Sequence, residues 1–270
     1  MKSKMISLPY LIWMLVFTIV PLGLVVFFAF TTPEGQFTLD NLTNAGQYIS
    51  VLLRSIWLAL IATAICLLIA YPLSYILSRM HVNRQRTFIM LVMLPMWINF
   101  LLRTYAWMTL LENNGLINRF FGLFGLGPFN LINTEGAVVL GMVYNYLPFM
   151  ILPLYSILTK IDNSLIEAAQ DLGAPSRKVF AKVVIPMSMP GITTGITMVF
   201  VPAISTFIIS RMLGGGSNLL IGDLIDLQFL GNAYNPNLGA AISLVLMVLI
   251  LLFMSIVNQF DDERTEGMLL

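Results

Sequence analysis

The chain has 270 residues, of which 58% are hydrophobic and only 10% charged, and its mean hydropathy is +0.88. Soluble domains carry about 25% charge, so this composition excludes an ordinary soluble domain and is that of a membrane protein. A net charge of +1 offers no electrostatic grip on a nucleic acid. One Cys and one His exclude Cys/His zinc spacing and any intramolecular disulfide, and Cys66, set in the apolar run 62–70, reads as a small buried hydrophobe.

A spanning helix needs about 20 mostly apolar residues at about 1.5 Å each. Six stretches qualify in chain order: Leu8–Phe30, Ile56–Leu77, Phe88–Leu111, Ala137–Leu158, Met189–Ser210 and Leu238–Val257. They predict an all-α polytopic protein with six transmembrane helices, organised as one domain over 1–270. The first stretch follows Lys2 and Lys4 like a signal peptide. Its apolar run is too long for that, and no small-x-small cleavage site follows, so it is expected to be a retained helix.

Orientation follows from the basic residues. With the N-terminus inside, ten of the 14 Lys and Arg fall on the cytoplasmic side: Lys2, Lys4, Arg79, Arg84, Arg86, Lys160, Arg177, Lys178, Lys182 and Arg264. Arg54, Arg103, Arg119 and Arg211 make up the other side. Both termini and the segment at about 160–188 are therefore expected in the cytoplasm. Helix breakers recur within the spans, at Pro21, Pro72, Pro95, Pro148, Pro153, Pro190, Gly191, Gly195 and Pro202. They suit helices lining a path as well as kinked helices packed on neighbours.

The third span carries Trp97, Asn99, Tyr105 and Trp107, with Arg103 expected to snorkel outward or to pair with Glu112. Tyr144-Asn145-Tyr146 in the fourth span is polar for its depth, as a pore lining or as interhelical glue. Between the fourth and fifth spans lies a polar hairpin. Ser164 followed by Glu167 forms a capping-box pattern, which predicts a helix from about Leu165. Gly173 suits the left-handed position that ends it. Pro175 suits the first residue of a second short helix running through Val184, and Pro186 is expected to stop that helix.

Glu167-Ala168-Ala169, three residues, Gly173, nine residues, Val183, one residue and Ile185-Pro186 resemble the EAA loop of ABC-importer permeases. The family pattern is EAA-x3-G-x9-I-x-LP, and Val183 and Ile185 are aliphatic departures from it. Ser55–Ser78, the stretch from Leu94-Pro95 to Trp107, and Gly214-Gly215 through Leu230 resemble the spermidine/putrescine branch of that family. The resemblance implies a type I ABC-importer permease fold in the bacterial inner membrane. It also implies that Glu167, Ala168, Ala169, Gly173 and Pro186 belong to a coupling helix docking into a cytoplasmic ABC ATPase dimer. A second permease subunit would complete the pore, and an extracytoplasmic polyamine-binding protein would deliver the solute. The chain carries no G-x-x-x-x-G-K-[ST] loop, since the glycine-rich stretch 214–218 lacks its Lys and hydroxyl pair. No cofactor is expected on this chain; ATP and Mg²⁺ would bind the partner ATPase, and this chain would be a transport subunit rather than an enzyme.

A polyamine is a flexible polycation, met by carboxylates and aromatic faces. Asp223 and Asp226, three apart on one helical face, with Tyr234 nearby, are candidates at the outer entrance. Trp97, Asn99, Tyr105, Trp107 and Tyr144 are candidates within the membrane. Each has a second use: Trp and Tyr form interfacial belts, and the two acids suit a solvated loop or a contact to the binding protein. Two alternatives stand beside this reading, a permease for another small solute and an ion-coupled secondary transporter. The second needs ionisable groups at the midplane, and the predicted spans hold no acid in their interiors.

Overall fold

The computed structural model describes residues 8–216, 218–231 and 233–267. Lys2 and Lys4 lie outside the described residues, as do Ser217 of the glycine-rich stretch and the side chain of Arg264. Among the described residues the regular structure is helical, apart from one isolated bridge between Thr31 and Phe37.

The first span is built from α1 (Leu8–Met14), a π-turn at Leu15–Ile19 and α2 (Val20–Ala29). Pro21 opens α2 without an N–H to donate, and just upstream the ladder widens so that Val20 N–H reaches Leu15 O. Helix α3 (Asp40–Ala45) leads through a 3₁₀ turn into α4 (Ile49–Ser78), whose 30 residues extend about 45 Å at 1.5 Å per residue. Then come α5 (Val82–Met93), a 3₁₀ turn at Leu94–Trp97, α6 (Phe100–Leu111), α7 (Leu116–Gly122) and α8 (Glu135–Leu158). The hairpin comprises α9 (Asn163–Asp171), α10 (Ser176–Val179), a π-turn at Phe180–Val184 and α11 (Ile185–Met187). The chain closes with α12 (Met189–Ile204), α13 (Ile208–Leu213), α14 (Ile221–Leu230) and α15 (Pro236–Gly267).

Among the described residues four helices are long and apolar enough to cross a membrane: Tyr10–Ala29, Asp40–Ser78, Glu135–Leu158 and Pro236–Gln259. The first lies within the first predicted span, and the others contain the second, fourth and sixth. The other two predicted spans are corrected. Phe88–Leu111 is not one helix: the pair Val82–Trp97 and Phe100–Gly122 meets at 87°. Pro95 opens the 3₁₀ turn, Ile98 and Asn99 are extended, and the Asn99 side chain accepts from Leu101 N–H at 2.8 Å, so a fresh helix starts there. Met189–Ser210 is also interrupted, because α12 ends at Ile204 and α13 begins at Ile208. Counting as one span each of the two bent pairs, Val82–Trp97 with Phe100–Gly122 and Ser176–Met187 with Met189–Ile204, brings the total among the described residues to six.

The core lies where α4, α8 and α12 pack together. A row of small residues on α4 (Ala59, Ala62, Cys66 and Ala70) is fully buried against α8, where Met142, Met150 and Leu154 are equally enclosed. Small side chains let backbones approach where lipid supplies no hydrophobic drive between helices. Gly195 on α12 serves the same end: a Cβ there would sit 2.6 Å from Met150 Sδ. Helix α2 packs on α15 through Ala29, Ala240 and Ala241. The last carbonyls of α2 and its exit are answered by Asn237 Nδ2, donating to Phe28 O at 3.1 Å and Thr31 O at 2.6 Å, and by Asn41 Nδ2, donating to Thr31 O at 2.9 Å.

Candidate functional site

Helix α9 begins earlier than the capping-box pattern predicts. Asp162 is the N-cap, and its carboxylate accepts from Ser164 N–H at 3.0 Å. That hydrogen bond holds the exposed Asp162 carboxyl below the usual carboxylate range. The box at Ser164 is therefore a correction: an acid two residues upstream takes the capping position. Glu167, now inside the helix, stands exposed beside Ala168, with Ala169 half-buried.

The end of α9 follows the sequence. Gly173 has φ +80°, Gly173 N–H donates to Gln170 O at 2.8 Å, and Ala174 N–H donates to Ala169 O at 3.2 Å. The pair of bonds is a Schellman motif, which requires the left-handed residue. The turn leaves Leu172 89% exposed at the hairpin tip, an apolar knob that a search for polar signals passes over.

Pro175 is corrected from first helical residue to N-cap, with ψ 148°. Pro186 is corrected as well, since it sits inside α11 and does not end the segment. The break falls at Ser188, where the axis turns by 64° between Ser176–Met187 and Met189–Ile204. Pro186 and Pro190 are four apart and neither has an N–H, so the bonds to residues 182 and 186 are both missing. Ahead of the break the ladder passes through the π-turn, in which Ile185 N–H reaches Phe180 O.

The candidate path residues form small groups. Trp107 packs edge-on against Tyr144, with ring centroids 5.4 Å apart. Asn99 spends its side chain on the cap of α6. Trp97, Tyr105 and Tyr234 are exposed. None of the eight lines the groove of about 610 Å³ that opens between α8 and α12 beside Pro153, Ser156, Gly191 and Thr194. Within the polar triplet, Tyr146 OH donates to Pro202 O on α12 at 3.3 Å, and Asn145 Nδ2 donates to Gly141 O on its own helix at 2.9 Å.

The expectation that both acids face an open path is corrected for Asp223, which is 0% exposed. Its Oδ2 accepts from Ser210 Oγ at 2.5 Å and from Leu220 N–H at 3.0 Å, and Arg211 Nε stands 3.7 Å from Oδ1. Asp223 thus fastens the start of α14 to α13. Asp226 stays partly exposed and holds Arg211 Nη2 at 2.6 Å. Arg103 does neither of the things expected of it: it is only 9% exposed and makes no ion pair with Glu112, and its guanidinium lies 5.9 Å from the Phe100 ring. Its Nε and Nη1 find no hydrogen-bond partner among the described residues.

Comparison with known proteins places this geometry. Residues 70–265 match the family described as the binding-protein-dependent transport system inner membrane component. The spermidine/putrescine transport system permease protein PotB of Haemophilus influenzae is 39% identical over 267 residues, covering 94% of this chain and 93% of the relative. PotB of Escherichia coli is 38% identical over 246 residues, covering 87% and 89%. The fold superposes with TM-score 0.78 and 18% identity on a chain of a bacterial alginate ABC transporter in complex with an alginate pentasaccharide-bound periplasmic protein, covering 98% of this chain and 95% of that one. The chain belongs to the family of binding-protein-dependent transport system inner membrane components.

Proposed function

We propose that this chain is the polyamine-translocating permease subunit of an ATP-driven importer, moving spermidine or putrescine into the cell by alternating access. The observation that carries the reading is the likeness to two PotB permeases over nearly the whole chain. The hairpin at about 160–188 is the docking element for a cytoplasmic ABC ATPase dimer. Glu167, Ala168, Ala169 and Gly173 lie at its contact end, and Leu172 supplies an apolar knob. ATP and Mg²⁺ belong to that partner. A second permease subunit closes the pore, and an extracytoplasmic polyamine-binding protein delivers the solute. Both termini face the cytoplasm, in keeping with the placement of Lys and Arg.

On the solute side, the exposed rings of Tyr234, Trp97 and Tyr105 offer a cation aromatic faces, and the partly exposed Asp226 offers a carboxylate that it shares with Arg211. The test is reconstitution with the ATPase, the second permease and the binding protein, followed by uptake of labelled spermidine. Competition by excess putrescine and none by an unrelated sugar is the expected result. Uptake indifferent to excess polyamine overturns the substrate assignment. Asp226→Asn is expected to weaken uptake while the complex stays assembled.

A further inference from the structure

Both legs of the hairpin rest on one stripe of α4. Tyr71, Tyr75 and Arg79 recur every four residues and therefore share a face. Arg79 Nη1 donates to Ile161 O at 3.2 Å and also bonds Asn163 Oδ1, gripping the root of α9. Its guanidinium lies 5.5 Å from the Tyr75 ring. On the other leg, the Phe180 ring wedges edge-on between Tyr71 and Tyr75, at 5.6 and 5.4 Å.

The stripe ends at the hinge. Ser188 is 0% exposed, and its hydroxyl donates to Ile185 O at 2.9 Å. The same Oγ stands 2.7 Å from Tyr71 OH, a hydrogen bond in which either hydroxyl can donate. The same stretch of α4 is tied to α8, because Ser74 Oγ donates to Ile151 O at 3.2 Å. Gln85 adds a second tie, accepting from Tyr155 OH at 2.9 Å and donating to Met80 O at 2.8 Å.

We infer that the hairpin, the end of α4 and the end of α8 form one rigid body, and that the Tyr71–Ser188 hydrogen bond is the latch fixing the pivot on which α12 is carried. Tyr71, Phe180 and Ser188 are positioning residues: they pass a displacement of the hairpin to α12 without touching solute or nucleotide. The inference rests on the ATPase-docking reading of the hairpin.

The test uses the complete transporter in proteoliposomes, with spermidine uptake and ATP hydrolysis measured together for Tyr71→Phe, Ser188→Ala and the double variant. Each single change is expected to lower uptake per ATP about fivefold, as for one lost part-buried hydrogen bond. Maximal uptake rate should fall while KM for the solute and ATPase co-purification hold, and the double variant should lose no more than either single. A second readout does not depend on the solute: spin labels at Asp171→Cys and Thr194→Cys should keep their separation through the ATP cycle, and Tyr71→Phe should open an ATP-dependent distance change between them. Unchanged uptake per ATP and an unchanged distance response in Tyr71→Phe overturn the latch. Losses that multiply in the double variant, or loss of the ATPase from either single variant, overturn it too. If the native hairpin never retains an ATPase, the docking reading itself fails, whatever the variants do.

Discussion

Asp223 offers the sharpest quantitative prediction. Replacing it with Ala removes the acceptor of two hydrogen bonds at the start of α14. The Ser210 hydroxyl has a second acceptor in Phe207 O at 3.0 Å, and Arg211 keeps Asp226 at 2.6 Å. The Leu220 amide is buried and has no such substitute. One stranded donor with a small void gives about 2–3 kcal/mol of destabilisation. At about 2–4 °C per kcal/mol for a chain of this size, Tm should fall by about 4–12 °C. In Asp223→Asn the amide oxygen can take the place of Oδ2 and keep both bonds. What is lost is the charge facing Arg211 at 3.7 Å, worth under about 1 kcal/mol for a half-exposed guanidinium. The assay is thermal unfolding of the purified protein in nanodiscs, followed by tryptophan fluorescence. An Asp223→Ala variant that melts with the native protein, or below which Asp223→Asn falls, refutes the fastener role.

Other predictions concern the hairpin and the packing of the spans. Asp162→Ala should loosen α9 while Ser164→Ala stays near neutral, read by hydrogen exchange at residues 163–171; the reverse order would restore the capping box. Because the Asp162 carboxyl is held below its ordinary value, its capping contribution is present above the unfolded carboxylate pKa and is lost as pH falls through the folded one. Exchange in α9 should therefore be flat from about pH 7 to pH 5 in its dependence on this group. Gly173→Val forces a β-branched residue to φ +80°, at about 1–2 kcal/mol, and is expected to release the ATPase on co-purification. Gly191→Val would put Cβ 3.1 Å from Pro153 O and 3.2 Å from Ile157 Cβ. Overpacking of about 1–3 kcal/mol should push α12 from α8 and lower Tm by several degrees.

The elements most legible in the sequence rest on local chemistry. Long apolar runs must satisfy their backbone internally, so they are helices wherever they sit. Four of the six predicted spans are found, among the described residues, as single helical runs long and apolar enough to cross a membrane, the first with a π-turn inside it. Gly173 is equally local: an EAA-type helix needs a left-handed residue to close a Schellman turn, and glycine takes it at no steric cost. The misplaced starts and stops of the hairpin are near misses of the same kind. Asp162 takes the Ser164 amide that the Glu167 carboxylate would hold in a capping box, and a proline can open a helical turn as well as close one.

What hydropathy could not decide is where an apolar run bends or what a polar side chain meets. The 87° corner after Trp97 rests on Asn99 choosing to cap, which is invisible in an average over 20 residues. Asp223 and Asp226 look equivalent at a spacing of three, yet one is sealed under Ser210 and Leu220 and the other reaches outward to Arg211. Tyr71 and Ser188 are 117 residues apart, and nothing in either local stretch names the other. The sequence alone determined a helical membrane protein with a glycine-closed hairpin, because helix formation in lipid and a left-handed turn are local matters. Burial, ion pairing and the seat of the hairpin on α4 were decided only by tertiary structure, since a polar group's role depends on which helix is packed against it.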